Sequence, residues 1–567
     1  MAILFVEKNS GPESLNSVQM HIAREALEGD GRLTPVLNQL GVKTEEEALH
    51  LIARKLGMPM VDLAKSEVSD DVLSGFPVKA VHRYGIFPIG RDESGSLLIA
   101  TCNPFDVEPI DALAASLGKP AIPVVALPAE LAKLIKSRFG VGAETIDGLL
   151  AQADEEGGVE VLDEIDWDQS SDAAMAQEAS VVRLVNDILT EAVESGTSDI
   201  HIEAQESGIK IRYRIDGVLQ TQPMPPEINR FQSAIVSRLK IMARLNIAEK
   251  RIPQDGRIKI RVADRAVDIR LSIIPMLHGE GIVMRILDKD RMNFTLRGIG
   301  MDEDIYKAFG GLITLPHGII LVTGPTGSGK TTTLYSALNE IKSDDVKIIT
   351  TEDPIEYQLD GINQIQVHTK VGLTFDASLR AILRHDPDVV LVGEIRDFET
   401  AENAIQASLT GHLVFSTLHT NDAAGAYTRM IDMGVEPFLV STTVEGVMAQ
   451  RLVRRLCPHC KEPYVPTAAE VPSDFPLEHL HDSKGDIFRP VGCRECRQTG
   501  YSGRAALYEL LIPTDEIRRL AGQKAPSNEI KKLARASGMD TLRDNGWKKV
   551  LNGFTSIDEV VRTAKMD

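Results

Sequence analysis

Gly324-Pro325-Thr326-Gly327-Ser328-Gly329-Lys330-Thr331-Thr332 is the stretch on which the reading of this chain turns. It has the spacing G-x-x-x-x-G-K-[ST] of a phosphate-binding loop. The apolar run Ile319 to Val322 precedes it and reads as a buried strand. Leu334, Leu338 and Ile341 follow at helical spacing. A loop between a strand and a helix N-terminus turns backbone N–H groups toward phosphate, and the helix dipole favours the anion. In such a loop Lys330 reaches the β- and γ-phosphates, and the Thr331 hydroxyl binds Mg²⁺. Residues 324–332 are therefore expected to hold a nucleotide.

Three downstream segments say what is done with that nucleotide. Asp388 to Glu394 (DVVLVGE) reads as an apolar strand ending in an acid. Ligands of open α/β sheets sit at the carboxyl ends of strands, so Glu394 is expected near the phosphates and Mg²⁺. Val346 to Ile349 reads as another strand, followed by Thr350 to Tyr357 (TTEDPIEY). Hydrolysis needs a group that orients the attacking water, and either Glu352 or Glu356 fits that need. Gly411 to Thr420 (GHLVFSTLHT) is a strand bracketed by two histidines. His419 and Thr420 fall at its carboxyl end, where a polar group senses a γ-phosphate. From about residue 295, strand–helix alternation predicts a parallel sheet flanked by helices. Apolar runs such as Val389 to Val392 fit strands buried on both faces.

A smaller module begins near Ala179, with a helical stripe of Val181, Leu184, Val185, Ile188 and Ala192. Ile209, Ile211, Tyr213 and Ile215 then alternate with Lys210, Arg212, Arg214 and Asp216. Ile258, Ile260 and Val262 alternate with Arg257, Lys259 and Arg261, and Val267, Ile269 and Leu271 with Asp268, Arg270 and Ser272. This pattern predicts an α+β domain whose sheet has one apolar and one arginine-rich face. Residues 1 to about 140 read as an α/β or α+β module, with a helix marked by Leu49, Ile52, Ala53 and Leu56 and a strand at Leu97 to Thr101. Between the two modules, residues 144–172 carry eleven Asp or Glu and no Lys or Arg, the composition of a solvated linker.

At 567 residues the chain exceeds one core and predicts three or four domains. No apolar run approaches the roughly 20 residues that span a bilayer. The N-terminus lacks the basic start of a signal peptide, and the chain reads as cytoplasmic. A net charge of −20 argues against a general nucleic-acid binder. Four of the five cysteines form two pairs, Cys457-Pro-His-Cys460 and Cys493-Arg-Glu-Cys496, separated by 32 residues. Four thiolates in two such knuckles suit tetrahedral Zn²⁺ and leave no open position, so the metal is expected to be structural.

In order, these motifs resemble those of the secretion traffic ATPases of type II secretion and type IV pilus assembly. The resemblance is collinear from about residue 179 to the end. It is carried by SDIHIE (Ser198 to Glu203), RIPQDGR (Arg251 to Arg257), GPTGSGKTTT, TTEDPIEY, VGEIRD, GHLVFSTLHTN, the cysteine pairs and QTGYSGR (Gln498 to Arg504). It implies a multidomain α/β chain with a RecA-like P-loop ATPase core over 293–567. That core includes a tetracysteine zinc-binding insertion over 450–505 and C-terminal helices over 514–567. A PAS-like α+β domain over 179–292, an acidic linker over 141–178 and a docking domain over 1–140 precede it. The implied cofactors are ATP, Mg²⁺ and Zn²⁺.

The resemblance also implies roles. Lys330 and Thr331 match the Walker A pair, Glu356 the catalytic base, Glu394 the acid that helps hold Mg²⁺, and His419 an essential histidine. Arg270 and Arg285 match arginines that reach a nucleotide at a subunit interface, with Arg257 a third candidate. The implied assembly is a homohexamer at the bacterial inner membrane, held there through a membrane platform protein and the cytoplasmic domain of a membrane assembly protein, with no nucleic-acid partner. In some relatives the N-terminal domain binds cyclic di-GMP through a motif of Arg, Leu and Gly-Gly-Pro-Leu character, of which this chain has no clear copy. Docking to the platform is then the expected task of residues 1–140. A nucleotide-gated scaffold and a nucleic-acid translocase are the competing readings. The intact Lys330, Glu356 and Glu394 speak against the first, and the acidic balance speaks against the second.

Overall fold

A computed structural model describes residues 15–29, 32–63, 84–92, 94–118, 120–139, 179–262, 265–288, 295–467, 469–480 and 487–566, with positions 68, 72, 76 and 81. The acidic segment 141–178 lies outside the described residues. The chain divides into two compact units, residues 1–262 with 268–286, and residues 263–267 with 287–567.

In the first unit, the helix Glu45–Leu56 shows how local chemistry sets an element. The Thr44 hydroxyl accepts the Glu47 amide, three glutamates fill the first turn, and Arg54 and Lys55 sit in the last, all favourable to the helix dipole. Gly57, at φ 69°, ends it in the left-handed region. Its buried stripe of Ala48, Leu49, Ile52 and Ala53 packs with Leu15, Leu27, Leu33 and Leu40. Strands β1 (Ile86–Arg91), β2 (Leu97–Thr101) and β3 (Ala121–Val125) follow. β1 and β2 pair antiparallel, and β2 and β3 pair parallel.

After the helix Ala179–Glu194 come β4 (Thr197–Gln205), β5 (Gly208–Ile215), β6 (Val218–Thr221), β7 (Gln254–Val262), β8 (Arg265–Met276) and β9 (Gly279–Asp288). They form one sheet in the order β6-β5-β4-β9-β8-β7. Alternation is realised as a two-faced sheet. Ile200, Ile202, Ile211, Tyr213, Ile269 and Met284 are buried, and the Tyr213 hydroxyl donates to the Ile188 carbonyl of the helix at 2.8 Å.

The second unit is built on seven strands: β10 (Gly318–Thr323), β11 (Ile348–Glu352), β12 (Asn363–Gln366), β13 (Val389–Val392), β14 (Leu413–Leu418), β15 (Val444–Leu456) and, later in the chain, the partner strand Tyr501–Leu511. Between them lie the short strands β16 (Glu462–Tyr464) and β17 (Ile487–Arg489), which makes the partner strand β18. The sheet order is β12-β11-β13-β14-β10-β15-β18. The first six strands run parallel, and β18 returns antiparallel along β15. The parallel sheet is as expected, and β18 adds one antiparallel strand at its edge. β15 runs on through Leu456, so the core sheet shares residues 450–456 with the cysteine segment.

Every residue of β10, β13 and β14 is buried because helices cover both faces. Ile319, Leu321, Val390, Val392 and Val414 enter one core with the helices Phe398–Leu409 and Ala424–Asp432. Ile320, Val322, Val389, Leu391 and Phe415 enter the other with the helices Glu303–Ile313 and Lys330–Ile341. Each such full burial is worth roughly 2 kcal/mol. β11 is longer than the run Val346 to Ile349 suggested. It starts at Ile348 and carries Glu352 inside the sheet.

Candidate active site

The loop after β10 needs its glycines. Gly324 has φ 148°, and a Cβ there would lie 2.6 Å from the Gln450 carbonyl of β15. Gly329, at φ 90°, is the N-cap of the helix Lys330–Ile341, and a Cβ there would meet the Gln450 side chain at 2.8 Å. Pro325, Thr326 and Gly327 form an exposed crest. Ser328 is buried, with its hydroxyl unpartnered. Lys330 folds back over the loop, donating to the Gly324 carbonyl at 2.8 Å and the Pro325 carbonyl at 3.2 Å. Burial lowers the proton affinity of Lys330, Arg451 lowers it too, and Glu394 works the other way. Thr331 and Thr332 are half-buried at the helix start. A glycine-rich loop at a helix N-terminus with an ammonium beside it fits a phosphate chain with its Mg²⁺.

Two other strand ends join this loop. Thr323, last of β10, bonds Thr420 beyond β14. The two hydroxyls lie 2.6 Å apart, and the Thr420 amide donates to the Thr323 hydroxyl at 2.9 Å. Glu394, just past β13, is largely buried and faces His419, whose Nε2 lies 3.3 Å from the carboxylate. Arg396 pairs with the other carboxylate oxygen. The sheet order thus brings Lys330, Glu394 and His419 to one edge, though they come from three loops spread over ninety residues of sequence.

Glu352 and Glu356 part company. Glu352 is buried, with one oxygen taking the Tyr335 hydroxyl and the other taking the Thr350 hydroxyl and the Gln364 amide at 3.1 Å. Both oxygens of this carboxylate are already engaged by protein donors. Glu356 is half-buried on the loop beyond. The backbone amides of Glu356 and Tyr357 point at the same Tyr335 oxygen, and burial drives that phenol's pKa far upward, keeping it a neutral donor. Tyr335, Gln364, Gln450, Thr323 and Arg451 were not singled out from sequence. Each belongs to an ordinary-looking strand or helix and acquires its role only from strand order.

The arginine-rich face of β4, β7, β8 and β9 encloses a cleft of about 450 Å³. Arg257, Arg270 and Arg285 line it together with Asp199 and Asp255. Asp199 receives Arg285 Nε at 3.1 Å and the Ser198 hydroxyl at 2.9 Å, with Arg214 Nε at 3.7 Å. Three guanidinium groups on one concave face are suited to an anionic ligand.

The four cysteines converge beyond β15, with all four sulfurs within 4.8 Å of one another. Cys457 and Cys493 lie 3.8 Å apart, Cys460 and Cys496 3.8 Å, and Cys493 and Cys496 3.7 Å. A Zn–S bond of about 2.3 Å sets tetrahedral sulfurs about 3.8 Å apart, so the donor set fits the metal. Backbone amides approach as they do around thiolates, Gly492 to Cys460 at 3.3 Å and Gly500 to Cys496 at 3.2 Å. Burial pushes the Cys460 thiol up to about 12. Burial also opposes charge on Cys496, but the amides of Cys493 and Gly500 bring that thiol down to about 7.

A parallel sheet with a phosphate loop, strand-end acid and strand-end histidine along one edge defines a P-loop ATPase of the RecA-like class. A family model described as type II/IV secretion system protein matches residues 174–562, and the chain belongs to that family. An MshEN domain model matches residues 56–145. The chain is 43% identical over 538 residues to the type II secretion system protein E of Xanthomonas campestris pv. campestris, covering 94% of this chain and 93% of that protein. It is 40% identical over 560 residues to the type IV pilus assembly ATPase PilB of Myxococcus xanthus, covering 98% of each. It is 51% identical over 392 residues to the type II secretion system ATPase E of Vibrio cholerae, covering 68% of this chain and 76% of that one. Among the described residues, no helix is long and apolar enough to cross a membrane.

Proposed function

We propose that this chain is a ring-forming motor that hydrolyses ATP to drive assembly of pilin-like subunits, in type II secretion or in type IV pilus biogenesis. The observation that carries the reading is the meeting of the Lys330 loop, Glu394 and His419 along one sheet edge. In this reading the loop 324–332, through the backbone N–H groups that follow Pro325, and Lys330 hold the phosphates, and Thr331 and Glu394 hold Mg²⁺. Glu356 orients the attacking water, and His419 couples the state of Glu394 to the loop after β14. Developing negative charge on the transferred phosphoryl group needs cations aimed at it. Arg270 and Arg285, with Arg257, supply them to the nucleotide of a neighbouring subunit in a homohexamer. Zinc held by Cys457, Cys460, Cys493 and Cys496 locks the far end of β15. Residues 1–140 dock on an inner-membrane platform, so membrane association is peripheral and through partners. The MshEN match favours a second role for that domain, binding of cyclic di-GMP. Calorimetric titration of the full chain with that dinucleotide separates the two, since saturable heat supports the second role and none leaves docking alone.

The core reading is tested by phosphate release from purified rings. Lys330→Ala and Glu394→Ala each remove turnover by at least about a hundredfold, the scale of lost transition-state charge stabilisation. Robust turnover by assembled Glu394→Ala protein overturns the mechanism.

A further inference from the structure

Two cations lie against Gly324 of the phosphate loop, and among the described residues neither has an anionic bonding partner. Among the described residues Lys330 donates to the Gly324 and Pro325 carbonyls alone. Arg451 comes from β15, one residue past the Gln450 that packs on the loop. Its guanidinium lies against the first loop glycine, with Nη1 only 3.0 Å from where a Gly324 Cβ would be. Nη1 donates to the Gln450 carbonyl at 3.0 Å. Nη2 donates to the Asn421 backbone carbonyl at 2.8 Å and to its side-chain oxygen at 3.2 Å. All three acceptors are neutral.

Among the described residues Arg451 forms no ion pair, although Glu509 and Asp422 act on it through space. Those two carboxylates are committed elsewhere. Glu509 accepts the Ala423 amide at 2.8 Å and the Leu542 amide at 3.3 Å. Asp422 accepts the Gly425 amide at 2.9 Å and faces Lys531 Nζ at 3.6 Å. Burial disfavours charge on both Arg451 and Lys330; for Lys330, Glu394 works against that and Arg451 adds to it. Two partly desolvated cations that both lie against Gly324 favour an anion that reaches both.

We propose that Arg451 is a second phosphate-binding cation for the nucleotide of its own chain, supplied by β15 and reading the terminal phosphate. Its tether supports the terminal position: Asn421 lies two residues beyond His419, the partner of Glu394. The planar guanidinium keeps donors for a phosphate oxygen while its other N–H groups hold Asn421 and Gln450. Contact with the γ-phosphate would register nucleotide state in β15, the strand that continues to Cys457. The inference deepens the nucleotide reading of the P-loop and rests on it.

The test is binding of fluorescent ATP and ADP, each with Mg²⁺, to full-length Arg451→Gln, Arg451→Lys and Lys330→Ala proteins. Arg451→Gln weakens ATP about tenfold or more, the size of one charge-assisted hydrogen bond, and shifts ADP less than about threefold. Arg451→Lys recovers part of the ATP affinity. Equal weakening of both nucleotides with a lowered melting temperature makes Arg451 a structural staple and overturns the proposal, as does unchanged ATP affinity. If Lys330→Ala binds ATP normally, the P-loop reading itself fails, an outcome distinct from failure at Arg451.

Discussion

Glu352 and Glu356 are four residues apart and chemically alike, yet the fold gives them different work. Glu352 has both oxygens occupied inside β11, so it acts as an anchor for the polar cluster of Tyr335, Thr350 and Gln364. Glu356 sits on the loop that this cluster holds, and Tyr335 is the link, bonded to Glu352 and facing the Glu356 amide. Glu356→Gln is expected to lower kcat by about a hundredfold or more, the range for a lost general base, without weakening ATP binding. Glu352→Gln is expected to lower the melting temperature first, because it faces a buried carboxylate's donors with an amide group. Single-turnover hydrolysis beside a thermal melt distinguishes them. Wild-type kcat in Glu356→Gln removes that residue from the chemistry.

At the scale of elements, β15 is the strand to watch. It pairs with β10, carries Gln450 and Arg451 past the phosphate loop, and ends at Leu456, next to Cys457. Elemental analysis is expected to find about one zinc per chain, lost when Cys457 and Cys493 become Ser. A wild-type protein without metal contradicts the site. The same strand is clamped from the C-terminal helix Ile557–Thr563. Arg454 meets Glu559 at 2.6 Å, and Arg562 meets it at 2.8 Å. Burial opposes charge on Glu559, but the two guanidinium groups hold its pKa at about 2, against 4.5 for a free glutamate. A depressed carboxylate stabilises the fold above its unfolded pKa, and that contribution fades as pH falls from about 4.5 toward about 2. Glu559→Gln is expected to cost about 3 kcal/mol at pH 7, since it strands Arg454. The gap in urea midpoint between wild type and variant should close as the pH falls through that window, and a gap that stays constant argues against the ion pair.

At the scale of the whole molecule, the arginine cleft and the phosphate loop belong to different compact units, and the proposed homohexamer is what would bring them together across subunits. Mixing Arg270→Ala, Arg285→Ala chains with Lys330→Ala chains should restore part of the turnover that neither variant has alone; no recovery at any ratio counts against action in trans. Much of this protein was legible in one dimension. The glycines and Lys330 announce a phosphate loop because that spacing lets the backbone wrap an anion, and the Cys-x-x-Cys pairs announce a four-thiolate cluster because ligand geometry constrains sequence locally. Apolar runs such as Val389 to Val392 declared strands covered on both faces. What periodicity does not carry is which strand lies beside which. The order β14-β10-β15 puts Thr420 against Thr323 and Gln450 against Gly329, and it turns Arg451, one basic residue in a run of several, into a neighbour of Lys330. That Glu352 is enclosed while Glu356 is not likewise depends on the exact end of β11, which hydrogen bonding to β12 and β13 extends beyond its apolar run. Local spacing sets the chemistry of each loop, whereas the identity of neighbours depends on long-range strand pairing, and only the tertiary structure decides that.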